Sequence, residues 1–254
     1  MRILLYNIER GGAASKREAI GEAIVELSPD VAVILEAVGW RSRKRGEALA
    51  APLGGKAFYC RARSGFDLAI LTRLPTRRVQ AHTDLDLFHG CLSIDVEVAH
   101  DSWVRIHAAH LSPTREHTRE REIRKILGAI GPREDLPEAI MGDLNGIRID
   151  DTVEEVPARQ VKPGTGPVWR QDKIPPSAID VLPEEGWIDV YREIHPSEKG
   201  YTFPAHEPVV RYDYVFSNPA FRARVQEISV MTTAPWTDLS DHLPLLIRLG
   251  DGET

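Results

Sequence analysis

Six polar groups stand within or at the ends of short apolar segments that have the composition of β-strands. They are Asn7, Glu36, His110, the pair Asp143 and Asn145, Asp213, and the pair Asp241 and His242. Carboxylates are ligands that magnesium prefers, whereas imidazoles and amides contact phosphate oxygens or orient water. Because strand ends that share one edge of a sheet can gather such groups in one crevice, the pattern indicates a metal-assisted site for phosphate chemistry.

Asp143 and Asn145 directly follow the strand-like segment Ala139 to Gly142. An extended chain points side chains two residues apart to the same side, so both groups are expected to face one site. The carboxylate would bind a metal or take a proton from water, and the amide would donate to that water or to a phosphate oxygen. An Asx-rich turn is the alternative, since Asp, Asn and Gly favour turns in any protein.

Asp241 and His242 stand just before the apolar run Leu243 to Ile247, after Ser240. The pair offers one metal ligand and one imidazole for a phosphate, and a polar turn with a surface histidine is the alternative. A serine-type triad built from these neighbours is not expected, because successive strand residues point to opposite faces.

Asp213 lies within an aromatic, β-prone run from Arg211 to Phe216. A carboxylate buried there needs a partner, and a histidine held in one tautomer is the candidate. The alternative is an aspartate on the solvated face of an edge strand.

Glu36, Asn7 and His110 each end an apolar segment. Glu36 is either a magnesium ligand or a simple strand-end charge, and Asn7 either orients Glu36 or merely ends the first strand. His110 is a candidate phosphate contact or a structural histidine. His107, three residues earlier, lies on the opposite strand face, so at most one of the two histidines should enter the site.

Composition limits the class of protein. The chain has 254 residues, 42% hydrophobic and 28% charged, with a net charge of -6, which predicts one large domain over residues 1–254. This charge creates no global basic field for nucleic acid or anionic membrane, but a local groove or a bound metal would change the balance near the substrate.

Cysteine usage and apolar segments indicate the compartment. Cys60 and Cys91 form neither a disulfide framework nor a clustered metal site, so free thiols are expected. No segment approaches the roughly 20 apolar residues of a membrane span, and the N-terminal residues lack the features of a signal peptide. We therefore predict a cytoplasmic protein, whose oligomeric state the sequence leaves open.

The first half of the chain predicts strands in both βαβ and hairpin contexts. Strands are expected over Arg2 to Ile8 and Val31 to Leu35. Between them, Ser15 and Glu18 have the spacing of a helix capping box, and residues 28–30 would end that helix. Alternating segments on either side of residues 99–102 predict an antiparallel hairpin.

The second half begins with a helical pattern. Ser112-Pro113 would start this helix and Gly131-Pro132 would end it. Further strands are expected at residues 139–142, 209–216, 225–231 and 243–249, and a long surface loop at residues 150–177. The elements favour a mixed sheet or two packed sheets with helices on the outer faces.

Taken in order, seven segments resemble the endonuclease/exonuclease/phosphatase superfamily of metal-dependent phosphoesterases. They are Leu4 to Ile8, Pro29 to Val38, Asp67 to Arg73, His110-Leu111, Gly142 to Asn145, Tyr212 to Phe216 and Ser240 to Pro244. They span nearly the whole chain. Relatives often carry glutamine before the glutamate of the second segment, whereas Leu35 stands there here; this neighbour should point away from the site.

The resemblance implies an α/β fold: a four-layer α/β sandwich, with two mixed β-sheets packed face to face and helices outside. It also implies that Glu36, supported by Asn7, holds Mg2+ or Mn2+, with Asp241 close to the metal. The metal would act as a Lewis acid toward the phosphate.

The same resemblance implies the catalytic roles. Asp143 and Asn145 would activate and orient the attacking water. His242, oriented by Asp213, would bind or protonate the phosphate, and His110 would contact the same group.

The resemblance specifies the substrate less closely than the fold and the site. Residues 110–112 and 200–204 look most like the tyrosyl-DNA phosphodiesterase and small bacterial hydrolase branches, which favours a phosphodiester of DNA or RNA. The alternatives are a phospholipid head group, a small phosphorylated metabolite, or a catalytically silent binding module. A lipid enzyme should show an apolar loop, and none is evident. A catalytically silent relative commonly loses Asp143, Asp241 or His242, and all three are present here.

Two further features have two interpretations each. The basic run Arg41 to Arg45 would bind a phosphate backbone or form a solvated helix face. Trp236 would stack on a base or pack in the core.

Overall fold

The protein, described by a computed structural model at residues 1–131, 136–151 and 177–250, contains two six-stranded sheets. The strands are β1 Arg2–Asn7, β2 Val31–Leu35, β3 Lys56–Cys60, β4 Leu68–Thr72, β5 Thr76–Ala81, β6 Gly90–Ala99, β7 Ser102–His110, β8 Glu138–Asp143, β9 Ile188–Asp189, β10 Asp213–Ser217, β11 Val225–Val230 and β12 Leu245–Leu249. The helices are α1 Arg17–Leu27, α2 Arg45–Ala50, α3 Glu116–Ile130, α4 Val181–Glu184, α5 Val190–Ile194, α6 Pro219–Arg222 and α7 Trp236–Leu239.

Both sheets are mixed. The first has the strand order β11-β12-β1-β2-β4-β3, and the second β5-β6-β7-β8-β10-β9. Only β1 with β2 and β7 with β8 are parallel among the described pairs, and the others are antiparallel. Helices cover the outer faces of both sheets, which confirms the predicted four-layer α/β sandwich.

Alternation along the strands separates the central core from the helix-covered faces. In β1, Ile3 and Leu5 pack between the two sheets, while Leu4 and Tyr6 pack on the side of α1 and α7. Trp236 of α7 meets the Tyr6 ring edge to face, with centroids 5.5 Å apart, and is 5% exposed. The tryptophan therefore packs in the core.

The helix starts differ from expectation. Helix α1 begins at Arg17, and no side chain caps it, so Ser15 forms no capping box. The Ala13 carbonyl instead accepts the N–H groups of residues 16 and 17, which makes a turn before the helix. Helix α3 begins only at Glu116. Its expected cap, Ser112, instead accepts the Thr114 N–H on its hydroxyl at 3.3 Å, which commits these residues to a turn.

Other sequence features are confirmed. Helix α1 ends at Leu27 before a left-handed Ser28, α3 ends before Gly131, and β6 and β7 form the expected hairpin. Cys60 and Cys91 are buried free thiols. Most of the expected loop at residues 150–177 lies outside the described residues. Within the described ranges, no helix has the length and apolar character needed to cross a membrane.

Candidate active site

The candidate site lies where three inward-facing side-chain stripes end at one edge of the sandwich. The stripes are Ile3-Leu5-Asn7 in β1, Ile106-Ala108-His110 in β7 and Ala139-Met141-Asp143 in β8. Each stripe packs into the core between the sheets until its last residue, which is polar and at most 2% exposed. The same alternation that builds the core therefore places these three polar groups together.

Asp143 is the centre of the site. Its Oδ2 accepts a hydrogen bond from Asn7 Nδ2 at 3.1 Å and lies 3.5 Å from His110 Nε2 and 3.6 Å from His242 Nε2. Burial raises the pKa of Asp143 to about 7; the His242 cation opposes this shift, and the Asp213 charge adds to it. A carboxyl group with a pKa near neutrality can accept and release a proton at physiological pH.

His242 is held by Asp213, which is the kind of partner expected for a carboxylate buried in this strand. Asp213 Oδ2 lies 2.8 Å from His242 Nδ1, and Asp213 stands opposite Asp143 in the β8–β10 register. Burial alone would lower the pKa of His242, but the Asp213 and Asp143 carboxylates raise it overall. A protonated imidazole then donates through Nδ1 to Asp213 and presents its Nε2–H to the centre of the site.

Glu36 enters from the end of β2. Its backbone is left-handed, with φ of 59°. Its carboxylate accepts hydrogen bonds from Asn7 Nδ2 at 3.4 Å and from the Arg10 N–H at 2.8 Å. Burial raises the pKa of Glu36, and the nearby Asp241 carboxylate raises it further. Negative charge is therefore crowded between Glu36 and Asp241, which favours a cation at this position.

The donor atoms fit a hard divalent cation. One atom each from Asp143, Asp213 and His242 lies within a group 4.8 Å across, but a protonated His242 paired to Asp213 is not a metal ligand. The carboxylates of Glu36 and Asp241, which lie close enough to act on each other, remain as oxygen donors. Such a set is what Mg2+ and Mn2+ bind, whereas zinc sites usually include nitrogen or sulfur.

Asn145 holds the loop after β8. Its backbone, with φ of 51°, donates an N–H to Asp143 Oδ1 at 2.9 Å, and its amide Nδ2 donates to the Leu111 carbonyl at 3.0 Å. The bond from the Asn145 N–H to Asp143 Oδ1 is the Asx turn that stood as the alternative for this segment, and the left-handed Asn145 backbone shows that the chain is not extended here. Its bond to the Leu111 carbonyl joins the segment that follows β8 to the segment that follows β7.

His89 is a site neighbour that the sequence did not single out. Its ring stacks on His110 with centroids 3.8 Å and planes 11° apart, and Ser64 Oγ lies 2.9 Å from its Nδ1. Burial lowers the pKa of His89 to about 4. Burial also lowers the pKa of His110, with His89 and His242 adding to the shift. Only the pairing of Gly90 with His110 brings the two rings together, and no local sequence signal reveals it.

Three other sequence features lie around this centre. Ser240 donates its hydroxyl to the Asn7 carbonyl at 2.7 Å, which joins the loop carrying Asp241 to β1. His107 faces away from the site, where Nδ1 lies 2.6 Å from Ser93 Oγ. Residues 41–44 are exposed in turns before α2, which begins at Arg45, so the expectation that this basic run forms a helix face is wrong. Its binding of a phosphate backbone stays a prediction.

Comparison with known proteins places this geometry in a family. The model of the Endonuclease/Exonuclease/phosphatase family matches residues 4–242. The chain belongs to this family. No curated protein matches the chain significantly.

Solved structures share the fold at low sequence identity. An AP endonuclease from Archaeoglobus fulgidus has 16% identity and a TM-score of 0.74, covering 98% of this chain and 99% of its own. The 3' phosphatase NExo from Neisseria, bound to a product DNA hairpin, has 17% identity and a TM-score of 0.73 over the same shares. A humanized form of D. rerio TDP2 has 17% identity and a TM-score of 0.67, covering 97% of both chains. At these identities, the three structures show that the chain shares their fold.

Proposed function

We propose that this protein is a metal-dependent hydrolase of phosphate esters that cleaves phosphodiesters of DNA or RNA by attack of an activated water on phosphorus. The observation that carries the proposal is the environment of Asp143. A carboxylate with a pKa raised to about 7 lies 3.6 Å from the Nε2 of His242, whose own pKa is raised by its carboxylate partners. A proton acceptor beside a cationic donor is the pair that hydrolysis of an anionic ester requires.

Each residue has a distinct role in this mechanism. Asp143 accepts the proton of the attacking water, and Asn145 fixes the carboxylate through its backbone N–H. His242 donates from Nε2 to an oxygen of the phosphate, while Asp213 keeps its ring oriented. Neutral His110, whose Nε2 lies 3.5 Å from Asp143 Oδ2, contacts the phosphate as well.

A divalent cation, Mg2+ or Mn2+, would be held by Glu36 and Asp241 with Asn7 in support. Its chemistry would be that of a Lewis acid that neutralises charge on the phosphate. The crowding of the carboxylates supports this assignment, because burial and Asp241 both raise the pKa of Glu36.

Nucleic acid is the proposed substrate because one structural neighbour was solved with a product DNA hairpin and another is an AP endonuclease. A phospholipid head group or small phosphorylated metabolite is the alternative. A single domain over residues 1–254 and a cytoplasmic location stay predictions.

Hydrolysis of a chromogenic phosphodiester and of single- and double-stranded DNA tests the proposal, with magnesium, manganese or a chelator. Metal-dependent cleavage that Asp143→Ala abolishes is the expected result. Asp238→Ala, an exposed carboxylate three residues before Asp241, is the matched control. Failure to cleave any of these esters, or cleavage that persists in Asp143→Ala, would overturn the proposed nuclease function.

A further inference from the structure

Two phenylalanine rings lie against the histidine pair next to the site. Phe66 and Phe88 each meet the His89 ring edge to face, with centroids 5.2 and 4.8 Å from it. His89 in turn stacks on His110, which is 3.5 Å from Asp143. The rings therefore form a continuous aromatic group that begins at the catalytic centre.

The two rings come from different sheets but from the same edge of the sandwich. Phe66 lies in the connection between β3 and β4, where the Ala37 N–H, one residue beyond Glu36, donates to the Asp67 carbonyl at 2.7 Å. Phe88 stands two residues before Gly90, the partner of His110 in the β6–β7 register. Both connections therefore border the edge at which Glu36 and His110 enter the site.

Phe88 is exposed although its backbone is firmly held. Phe88 is 44% exposed, yet its backbone N–H donates to Glu122 Oε1 at 2.7 Å. The other Glu122 oxygen accepts the Ser112 N–H at 2.8 Å, and the Phe88 carbonyl accepts the Ser64 N–H at 3.3 Å. A buried carboxylate thus links the residue that carries the exposed ring to the chain just after His110.

Exposure of a single aromatic residue is common and by itself indicates nothing. The fixed backbone, the neighbouring Phe66 ring and the contact with the His89–His110 pair distinguish Phe88 from such cases. Aromatic rings held rigidly beside a phosphate site are the means by which proteins stack nucleobases without regard to sequence.

Two basic side chains lie beside the connection that carries Phe88 and share one acidic partner. The guanidinium of Arg63 pairs with Asp86, and both side chains are more than half exposed. Lys125 Nζ lies 3.7 Å from the same carboxylate. A phosphate that flanks a stacked base would compete with Asp86 for these two cations.

We propose that Phe88, with Phe66 beside it, is a stacking surface for a nucleobase next to the cleaved phosphodiester. The inference rests on the proposed function and adds a determinant of its substrate class. A membrane surface is the competing occupant, and the same experiment decides between them.

The test compares kcat/KM for a short single-stranded oligodeoxynucleotide with that for the same strand carrying base-free positions around the cleaved bond. Phe88→Ala should lower the ratio of the two values about tenfold to a hundredfold, the effect of losing one stacked base. Phe88→Trp should keep the ratio, because its ring also stacks. Val79→Ala, at a residue 42% exposed on edge strand β5, should leave the ratio unchanged.

An unchanged ratio in Phe88→Ala would overturn the proposal, as would an equal loss in Phe88→Trp. Weaker sedimentation of Phe88→Ala with vesicles of phosphatidylglycerol, together with an unchanged ratio, would assign the ring to a membrane instead. If the protein hydrolyses no phosphate ester, the proposed function fails separately. Fluorescence anisotropy of a labelled oligodeoxynucleotide then compares its binding to Asp143→Asn with its binding to the double variant that also carries Phe88→Ala. Weaker binding by the double variant supports the stacking surface, and equal binding refutes it.

Discussion

At the scale of single residues, burial acts on three neighbouring groups with different outcomes. It raises the pKa of Asp143 and lowers that of His110, because both groups lose water without gaining a full counter-charge. His242 is as deeply placed, but the carboxylates of Asp213 and Asp143 outweigh its desolvation and raise its pKa. In one small volume, burial and neighbouring charges thus shift the pKa values of the two imidazoles in opposite directions.

Asp143→Asn should lower kcat by about a hundredfold to ten-thousandfold, the usual contribution of a positioned acid or base. The substitution keeps the size of the side chain and removes the proton acceptor. Initial rates at saturating magnesium measure the effect, and Asp238→Asn serves as the control for removing an exposed carboxylate from the same chain. A rate near that of the unaltered protein would remove Asp143 from the mechanism.

Glu36→Gln should mainly weaken metal binding. The amide oxygen still accepts the Arg10 N–H, but the negative charge that attracts the cation is lost. We expect the Mn2+ dissociation constant, measured by calorimetry, to rise about tenfold or more, since even outer-shell partners contribute this much. Glu18→Gln, on the exposed face of α1, is the matched control, and equal Mn2+ affinity in both variants would contradict the assignment.

At the scale of elements, the parallel pair β7–β8 determines the position of the catalytic centre. Its register places His110 opposite Asp143, and the residue before Asp143 is Gly142. A Cβ on Gly142 would lie 1.6 Å from the Ala109 carbonyl oxygen, so the strands approach more closely than any other residue would allow. The glycine is therefore required by the packing of these two strands.

Gly142→Ala should destabilise the protein by about 1–3 kcal/mol or more, because the added methyl forces β8 away from β7. Gly128→Ala in α3 is the opposite case. Apart from its chain neighbours and the backbone of its own helix, no atom of the described residues lies within 4 Å of an added Cβ. Alanine also favours a helix by about 0.5–1 kcal/mol. Urea unfolding of both variants measures the difference. Equal stability would show that the β7–β8 pair adjusts without cost.

At the scale of the whole molecule, the site exists only when the two sheets are packed together. Asn7 and Glu36 come from the first sheet, whereas His110, Asp143 and Asp213 come from the second. The Asn7 amide bridges the sheets, donating to Glu36 on one side and to Asp143 on the other. Loss of the packing between the sheets therefore separates Glu36, a proposed metal ligand, from Asp143, the proposed proton acceptor.

Acid should destabilise the native protein through its buried neutral histidines. Burial lowers the pKa of His89 to about 4 in the folded protein, from an ordinary value of 6.5. Between these pH values the unfolded chain binds a proton that the folded chain does not, so this stabilisation is complete above about pH 6.5 and is lost as the pH falls toward 4.

Replacing His89 by phenylalanine keeps a ring against His110 and removes the titrating group. As the pH falls from 6.5 to 4, the free energy of unfolding of the unaltered protein should drop by about 3 kcal/mol relative to His89→Phe. Urea titrations of both proteins at several pH values measure this difference. Parallel pH profiles would show that His89 does not remain neutral in the folded state.

The sequence by itself indicated the candidate residues and the strands β1, β2, β6–β8 and β10–β12, whereas no strand was expected at β3, β4, β5 or β9. Apolar segments located the expected strands, and the polar residues at their ends, such as Asn7 and Asp143, were identified because each interrupts such a pattern. Helix starts were less accessible, since local turns at Ser112 and Ala13 compete with the capping positions that spacing suggests.

Only the tertiary structure decided which of these groups touch. The bond from Asn7 to Asp143 spans 136 residues of sequence, and the stacking of His89 on His110 depends on strand register. The protonation of His242 depends in the same way on carboxylates brought close by folding. Local spacing reveals residue types and faces, but distances, burial and electrostatics arise from contacts between distant segments, and these decide what each residue can do.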